Sequence, residues 1–171
     1  MTTCIILSIL LTVLFTGAVI WKTKKVPESI SAMVYDLPDG ALKWTWSIWL
    51  WLVSLFSFIP VIDILDRQGL GFLAFATLVL LVFTGAWPLF DVEHRKYHYA
   101  FAIAAGVLSQ VCVLFICPWW LLLWILWPAI CVYCYIEEKK GKDTIFDGTA
   151  VFVSEAICYL TIICSSLCRI S

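Results

Sequence analysis

Five long stretches of this chain contain no charged or histidine side chain apart from a single glutamate, and they limit the folds open to it. They cover residues 1–21, 44–62, 68–90, 99–136 and 148–168. The hydrocarbon core of a bilayer is ~30 Å thick and needs about 20 apolar residues per helix. A chain of 171 residues, 63% of them hydrophobic, is too short to bury this much apolar surface in a soluble core. The sequence therefore predicts an integral membrane protein.

The fourth stretch is about twice as long as one crossing, and Cys117-Pro118-Trp119-Trp120 lies near its middle. Proline disfavours helix at the preceding residue, and paired tryptophans are typical of membrane interfaces. We therefore expect two antiparallel helices joined by a turn there. This gives an all-α, polytopic transmembrane helical bundle of about six helices in a single domain. The predicted spans are approximately 2–21, 44–62, 69–90, 98–117, 119–136 and 148–168.

Basic residues are divided unevenly between the two ends of the predicted helices. One end has only Arg67 and Arg169. The other end has the remaining nine, which are Lys22, Lys24, Lys25, Lys43, Arg95, Lys96, Lys139, Lys140 and Lys142. The positive-inside rule predicts that the end with nine is cytoplasmic, with both termini extracytoplasmic. A net charge of -1 makes nucleic acid an unexpected partner. Membrane lipids are the expected partners, and a protein partner or a second copy of the chain stays open.

Both histidines of the chain lie between Asp91 and His98, at the entrance to the fourth predicted helix. If that helix begins near Asp91, then Asp91, His94 and His98 share one face. Two imidazoles one turn apart, with a carboxylate, can hold a divalent metal such as zinc. In the alternative interpretation, Asp91 caps the helix and the histidines anchor it at the headgroup level. Binding of a lipid headgroup is a third interpretation, so the cofactor stays unknown.

Glu155 interrupts the last apolar stretch, roughly 12 Å along a helix from Asp147. An acid at this depth is costly in lipid, so such residues are functional candidates. The alternative is a protonated side chain that makes an interhelical hydrogen bond to Gln110 or to a serine. The first loop adds Ser29 and Ser31 on the same side of the membrane. Their hydroxyls either contribute to a site or make turns and helix caps.

The 8 cysteines do not follow the spacing of a zinc ribbon. Cys131 and Cys134 form a CxxC pattern, but it lies in an apolar helix, which favours buried thiols over a redox pair. Cys4, Cys117 and Cys168 all fall near the predicted outer end. If that side is oxidising, it allows one disulfide among these three.

Three short patterns resemble the Frag/DRAM-like group of six-span membrane proteins and their bacterial relatives. They are Pro27-Glu28-Ser29-Ile30-Ser31 soon after the first span, Gly85–Asp91 at the end of the third, and His98–Gly106 opening the fourth. The resemblance implies six spans and a lipid-associated or regulatory role, with no settled reaction. It also implies an N-terminus in the cytosol, opposite to the orientation that the basic residues predict.

Three hypotheses for function follow, and whether the protein is an enzyme stays open. The first is a small membrane protein whose cytoplasmic-side His/Asp/Ser cluster binds a lipid headgroup or a partner without catalysis. Its ligand-binding candidates are Ser29, Ser31, Asp91 and Glu155. The second is a metal-dependent intramembrane hydrolase of a lipid amide or ester, in which a metal-bound water is the nucleophile. Its metal-ligand candidates are His94, His98 and Asp91. The third is a subunit of an ion- or proton-coupled transporter that uses Glu155, although the chain lacks the inverted repeats usual for transporters.

Overall fold

The computed structural model describes residues 1–24, 26–37, 40–90, 95–140 and 149–170. These residues form six α-helices and two 3-10 segments, with no strand among them. The α-helices are α1 (Thr2–Thr23), α2 (Ala41–Asp66), α3 (Gly71–Phe90), α4 (Arg95–Ile116), α5 (Leu126–Lys139) and α6 (Ala150–Ile170). The 3-10 segments are Ser31–Asp36 and Pro118–Ile125. The predicted all-α fold of six helices is confirmed.

Five of the described helical segments are long and apolar enough to cross a membrane. They are α1, α2, Lys96–Ile116 within α4, Pro118–Glu137, and α6. The remaining helix, α3, has 20 residues and a shorter apolar part, Gly71–Ala86. At about 1.5 Å per residue, its full length also matches a hydrocarbon core of ~30 Å. The chain is therefore an integral, multi-pass membrane protein.

Helix α2 lies at the centre of the bundle. It packs against α1, α3, α4 and α6, and 56% of its apolar window is buried, compared with 0% for Pro118–Glu137. The helix is longer than its charge-free stretch and continues through Asp63 and Asp66. Asp63 accepts a hydrogen bond of 2.7 Å from the exposed Arg67 side chain. The charged last turn of α2 therefore extends beyond the apolar stretch of the helix.

Hydroxyl groups inside the bundle donate to backbone carbonyls or to each other. Ser47 Oγ donates to the carbonyl of Gly85 (2.8 Å) and so links α2 to α3. Ser57 Oγ donates to the carbonyl of Val53 (2.7 Å) and also contacts Ser8 Oγ of α1 (2.7 Å). Because lipid offers polar groups no water, a partner within the protein lowers the free-energy cost of burying each of these serines. These serines therefore join the central helix to its neighbours at little cost.

Helix α4 ends at Ile116, immediately before the Cys117-Pro118 pair where the sequence predicts a turn. The chain then runs back as the 3-10 segment Pro118–Ile125, and α-helix resumes only at Leu126. Gln110 Oε1 accepts hydrogen bonds from Trp124 Nε1 (2.9 Å) and Thr161 Oγ1 (3.0 Å). This amide therefore ties the 3-10 segment to both α4 and α6.

The two ends of the bundle differ in chemistry. We call the end where α1, α3 and α5 finish the basic end, and the opposite end, which carries both chain termini, the terminal end. Residues 26–37, which we call the cap segment, lie against the basic end. Met33 and Val34 of this segment are fully buried and pack in one apolar cluster with Trp46 and Trp49 of α2. The cap segment is therefore part of the folded core.

Three lysines at the basic end lie over aromatic rings. The distances from Nζ to the ring centroid are 5.3 Å for Lys24 and Trp21, 5.1 Å for Lys96 and Tyr97, and 4.6 Å for Lys139 and Tyr135. Aromatic rings and lysines are both typical of the headgroup level, where one part of the side chain is apolar and the other contacts water. Such pairs are typical of the membrane boundary, and they lie at the basic end of the bundle.

The contact between α2 and α3 leaves no room for a side chain at Gly85. A Cβ atom there would lie 2.5 Å from Trp51 Nε1, which donates a hydrogen bond to the Val82 carbonyl (3.1 Å). We expect Gly85→Ala to displace Trp51 and to destabilise the detergent-solubilised protein by about 1–3 kcal/mol. Thermal unfolding followed by circular dichroism measures this. Gly17→Ala is the control, since nothing lies within 4 Å of its Cβ position. Equal stability of the two variants would contradict the close packing described here.

Candidate functional site

Glu155 of α6 lies against the cap segment, about 8 Å along the helix from its first residue. The side chain is half-buried. Its Oε2 accepts three hydrogen bonds, from Ser29 Oγ (2.9 Å), the Ile30 N–H (2.5 Å) and the Ser31 N–H (3.2 Å). The hydroxyls of Ser29 and Ser31 also contact each other at 2.9 Å. One carboxylate oxygen therefore holds the cap segment to α6.

A further hydrogen bond anchors the cap segment to the start of α6. The N–H of Phe152 donates to the carbonyl of Glu28 (2.9 Å). The first N–H groups of a helix have no partner within the helix, so a carbonyl from another segment satisfies one of them here. The cap segment is thus bound at Glu28 and again at Ser29–Ser31, which fixes its position over the end of the bundle.

Beneath the cap segment, the helices line a partly open cavity of about 140 Å³. Its walls are mostly apolar. Residues of two apolar clusters, one near each end of the bundle, line it. The α6 wall consists of Glu155, Cys158, Tyr159 and Ile162, and the α4 wall of Ala102, Ala105, Gly106 and Ser109. The small residues of α4 leave space that larger side chains would fill. The cavity therefore extends from the carboxylate of Glu155 toward the middle of the membrane.

Hydroxyl groups supply the polar contacts deeper in this cavity. Tyr159 OH contacts Ser8 Oγ at 2.9 Å, and Ser8 Oγ contacts Ser57 Oγ at 2.7 Å. Tyr159 and Ser57 both line the cavity, as do Thr84 and Thr12. Thr12 Oγ1 is buried and has no hydrogen-bond partner among the described residues. The cavity thus offers a carboxylate at one end and hydroxyls farther in.

His98 of α4 is fully buried beside the cap segment. Its Nδ1 lies 3.0 Å from the carbonyl of Thr84, and its ring makes an edge contact with Tyr35 (5.5 Å between centroids). The backbone of Ser31 is close enough to interact with the ring. Nε2 is buried without a hydrogen-bond partner in the described part of the chain. Ser31 therefore lies between Glu155 on one side and His98 on the other.

The structure brings together three of the predicted site residues, Ser29, Ser31 and Glu155, and places His98 beside Ser31. Glu155 accepts hydrogen bonds from the Ser29 hydroxyl and from two backbone amides. Gln110, the other predicted partner, accepts from Trp124 and Thr161. Asp91 and His94 lie outside the described residues. Within the described ranges, no three His, Cys, Asp or Glu side chains are grouped to hold a metal ion. The predicted metal site is therefore untested.

Sequence reasoning missed Tyr159 and Thr84 as parts of the site, along with the amides of Ile30 and Ser31. For Tyr159 a signal was present, because Glu155, Cys158, Tyr159 and Ile162 follow helical spacing and share one face. No comparable signal existed for the amides. Their position depends on how the cap segment folds back onto α6.

No protein-family model, curated protein or solved structure matches this chain. The resemblance to the Frag/DRAM-like group stays a prediction.

Removing the Glu155 carboxylate should release the cap segment. Glu155→Ala leaves one hydroxyl and two amides without their acceptor, at a cost of about 3 kcal/mol. We expect faster amide hydrogen exchange over residues 26–37, measured by mass spectrometry on protein in lipid nanodiscs. Ser154→Ala is the matched control, because the hydrogen bond of Ser154 Oγ among the described residues goes to the carbonyl of Val151 in its own helix. If both variants exchanged at the same rate, Glu155 would not be what holds the cap.

Proposed function

We propose that this protein binds a membrane lipid through its headgroup, at the site formed by Glu155, Ser29 and Ser31. The supporting observation is that the Glu155 carboxylate lines the cavity while three donors of the cap segment all meet at its Oε2 atom. The hydrogen bonds from Ser29 Oγ, the Ile30 N–H and the Ser31 N–H go to Oε2, and none of these three goes to Oε1. Since Glu155 also lines the cavity, Oε1 is the acceptor available to a ligand.

The chemistry of this acceptor indicates the kind of headgroup. A carboxylate oxygen binds groups that donate hydrogen bonds, and a primary ammonium adds an opposite charge. Hydroxyls of the cavity wall accept hydrogen bonds as well as donate them. A quaternary ammonium has no N–H and so satisfies the carboxylate less well. We therefore propose a lipid whose headgroup ends in a primary amine.

The size of the cavity limits what enters it. A cavity of about 150 Å³ holds a molecule the size of benzene. The cavity here, of about 140 Å³, accommodates a small headgroup and excludes a whole lipid. The acyl chains would stay in the bilayer, and the lipid phosphate would lie at the level of the lysines of the basic end. Those lysines suit the lipid phosphate, and we propose, following the positive-inside rule, that they face the cytoplasm.

Lipid exchange on the full-length protein tests this proposal. Native mass spectrometry compares retention of phosphatidylethanolamine and phosphatidylcholine with identical acyl chains. We expect about tenfold tighter binding of the ethanolamine lipid, since a hydrogen bond to a charged group contributes about 1.5–3 kcal/mol. In Glu155→Gln the amide oxygen can still accept from the cap, while its NH₂ replaces the free acceptor. The preference should therefore be lost without release of the cap segment.

Filling the cavity provides an independent arm of the same experiment. Ala105 is buried and lines the cavity, whereas its neighbour Ala104 is exposed on the outside of the bundle. We expect Ala105→Leu to reduce retention of the ethanolamine lipid and Ala104→Leu to leave it unchanged. Equal binding of both lipids to the wild type would overturn the proposed function, and co-purification of a protein instead would point to the partner-binding alternative.

A second candidate function, metal-dependent hydrolysis of a lipid amide or ester, is favoured by the geometry of His98. Its Nδ1 faces the Thr84 carbonyl, and its buried Nε2 has no hydrogen-bond partner among the residues that the structure describes. Metal-binding histidines usually have one ring nitrogen held in this way, which orients the other toward the ion. His94 and Asp91 would be the further ligands of a zinc-like ion. The ion would supply an activated water as the nucleophile.

Metal analysis of the purified protein distinguishes this second candidate from the first. If the hydrolase hypothesis holds, mass spectrometry should find about one zinc or similar ion per chain in the wild type, and loss of that ion in a His94→Ala/His98→Ala double variant. Circular dichroism of both proteins checks that they are folded. Folded wild-type protein without metal after growth and purification with added zinc would remove this candidate.

A further inference from the structure

Two cysteine thiols meet at the terminal end of the bundle. Cys117 directly follows α4, and Cys168 lies in the last turn of α6. Their Sγ atoms are 3.6 Å apart, although 51 positions separate them in the chain. Cys168 is exposed and Cys117 is half-buried, so one of the pair is open to a reagent from outside.

The backbones that carry these thiols are held together by neighbouring groups. Arg169, next to Cys168, donates a hydrogen bond of 2.8 Å from Nε to the carbonyl of Ile116, next to Cys117. Ile116 is fully buried in the apolar cluster of the terminal end. The ends of α4 and α6 are therefore fixed relative to each other, and the closeness of the two thiols follows from that contact.

We propose that Cys117 and Cys168 form a disulfide bond in the protein as it exists in the cell. A disulfide has an S–S distance of about 2.05 Å, so the two sulfur atoms must approach by roughly 1.5 Å. A change of side-chain rotamer at the exposed Cys168 is the movement that we propose. The terminal end is also the end that the positive-inside rule predicts to be extracytoplasmic, where oxidising conditions preserve disulfides.

The reaction requires an oxidant of the thiol–disulfide exchange class. The thiolate of the exposed Cys168 attacks an exposed disulfide of the oxidant and forms a mixed disulfide. The Cys117 sulfur then attacks Cys168 Sγ, and the oxidant leaves as a dithiol. Two S–H bonds of this chain are lost and one S–S bond forms, while two electrons and two protons pass to the oxidant.

The test is to trap thiols in cells that express the full-length chain. Acid quenching and a first alkylating reagent block free thiols, and reduction followed by a second, heavier reagent marks those that had been oxidised. Peptide mass spectrometry should find the second reagent on Cys117 and Cys168 in most molecules. The first reagent should be on Cys131 and Cys134, which lie in the membrane-crossing segment of α5. Without reduction, the two peptides should be joined, with a mass lower by two hydrogens.

Two variants separate the proposed pair from other cysteines. In Cys168→Ser, Cys117 should become reactive toward the first reagent. In Cys164→Ser, one turn earlier on α6, the cross-link should persist. Detection of the first reagent on both Cys117 and Cys168 in wild-type protein would overturn the proposal. Formation of the disulfide by an added oxidant in purified protein would not rescue it. The wild-type result decides the matter if either variant fails to fold, and it is independent of lipid binding at Glu155.

Discussion

A single carboxylate oxygen inside the membrane organises the basic end of this protein. Glu155 Oε2 accepts three donors from the cap segment, and the cap segment in turn buries Met33 and Val34 against α2. A carboxylate within the hydrocarbon layer is stable only where donors surround it. The donors come from a loop, so the cost of burying Glu155 is offset only when that loop is folded. The site and the fold of this end therefore depend on the same contact.

In the rest of the bundle, neutral polar side chains meet the same need for hydrogen-bond partners inside the membrane. Hydrophobic burial does not drive helices together in lipid, so close packing and hydrogen bonds must do so. Ser47 reaches the carbonyl of Gly85, and Gln110 accepts from both Trp124 and Thr161. In the middle of the membrane, small residues of α4 leave a cavity whose walls carry several hydroxyls. A helix that packs fully in one region and leaves space in another can combine stability with a binding site.

Much of the architecture could be predicted because the thickness of the bilayer sets the length of each apolar stretch in the sequence. Charge-free stretches of the required length predicted six helices, and Pro118 indicated where the fourth long stretch divides. The 3-10 segment before α5 could not be predicted, since its Trp124 bonds to Gln110 of α4, a contact between helices that residue types do not reveal. For the site, the depth of Glu155 was visible in the sequence. Its donors were only partly visible, because backbone amides leave no trace in residue types.

Distances between helix ends were similarly beyond the sequence. Topology placed Cys4, Cys117 and Cys168 at one end, yet only helix rotation and the contact between Arg169 and Ile116 decide which two thiols approach. A count of residues along a helix gives depth in the membrane. The same count does not show which residue of another helix lies beside a given side chain.

The use of main-chain donors has a consequence for how this protein can change during evolution. Two of the three hydrogen bonds to Glu155 come from the N–H groups of Ile30 and Ser31, and every amino acid except proline supplies that group. The side chains at these two positions can therefore vary while the hydrogen bonds persist. Position 155 has no such freedom, since few side chains offer an acceptor of that reach. Selection should thus be concentrated on α6, while the loop that completes the site drifts in sequence and keeps its shape.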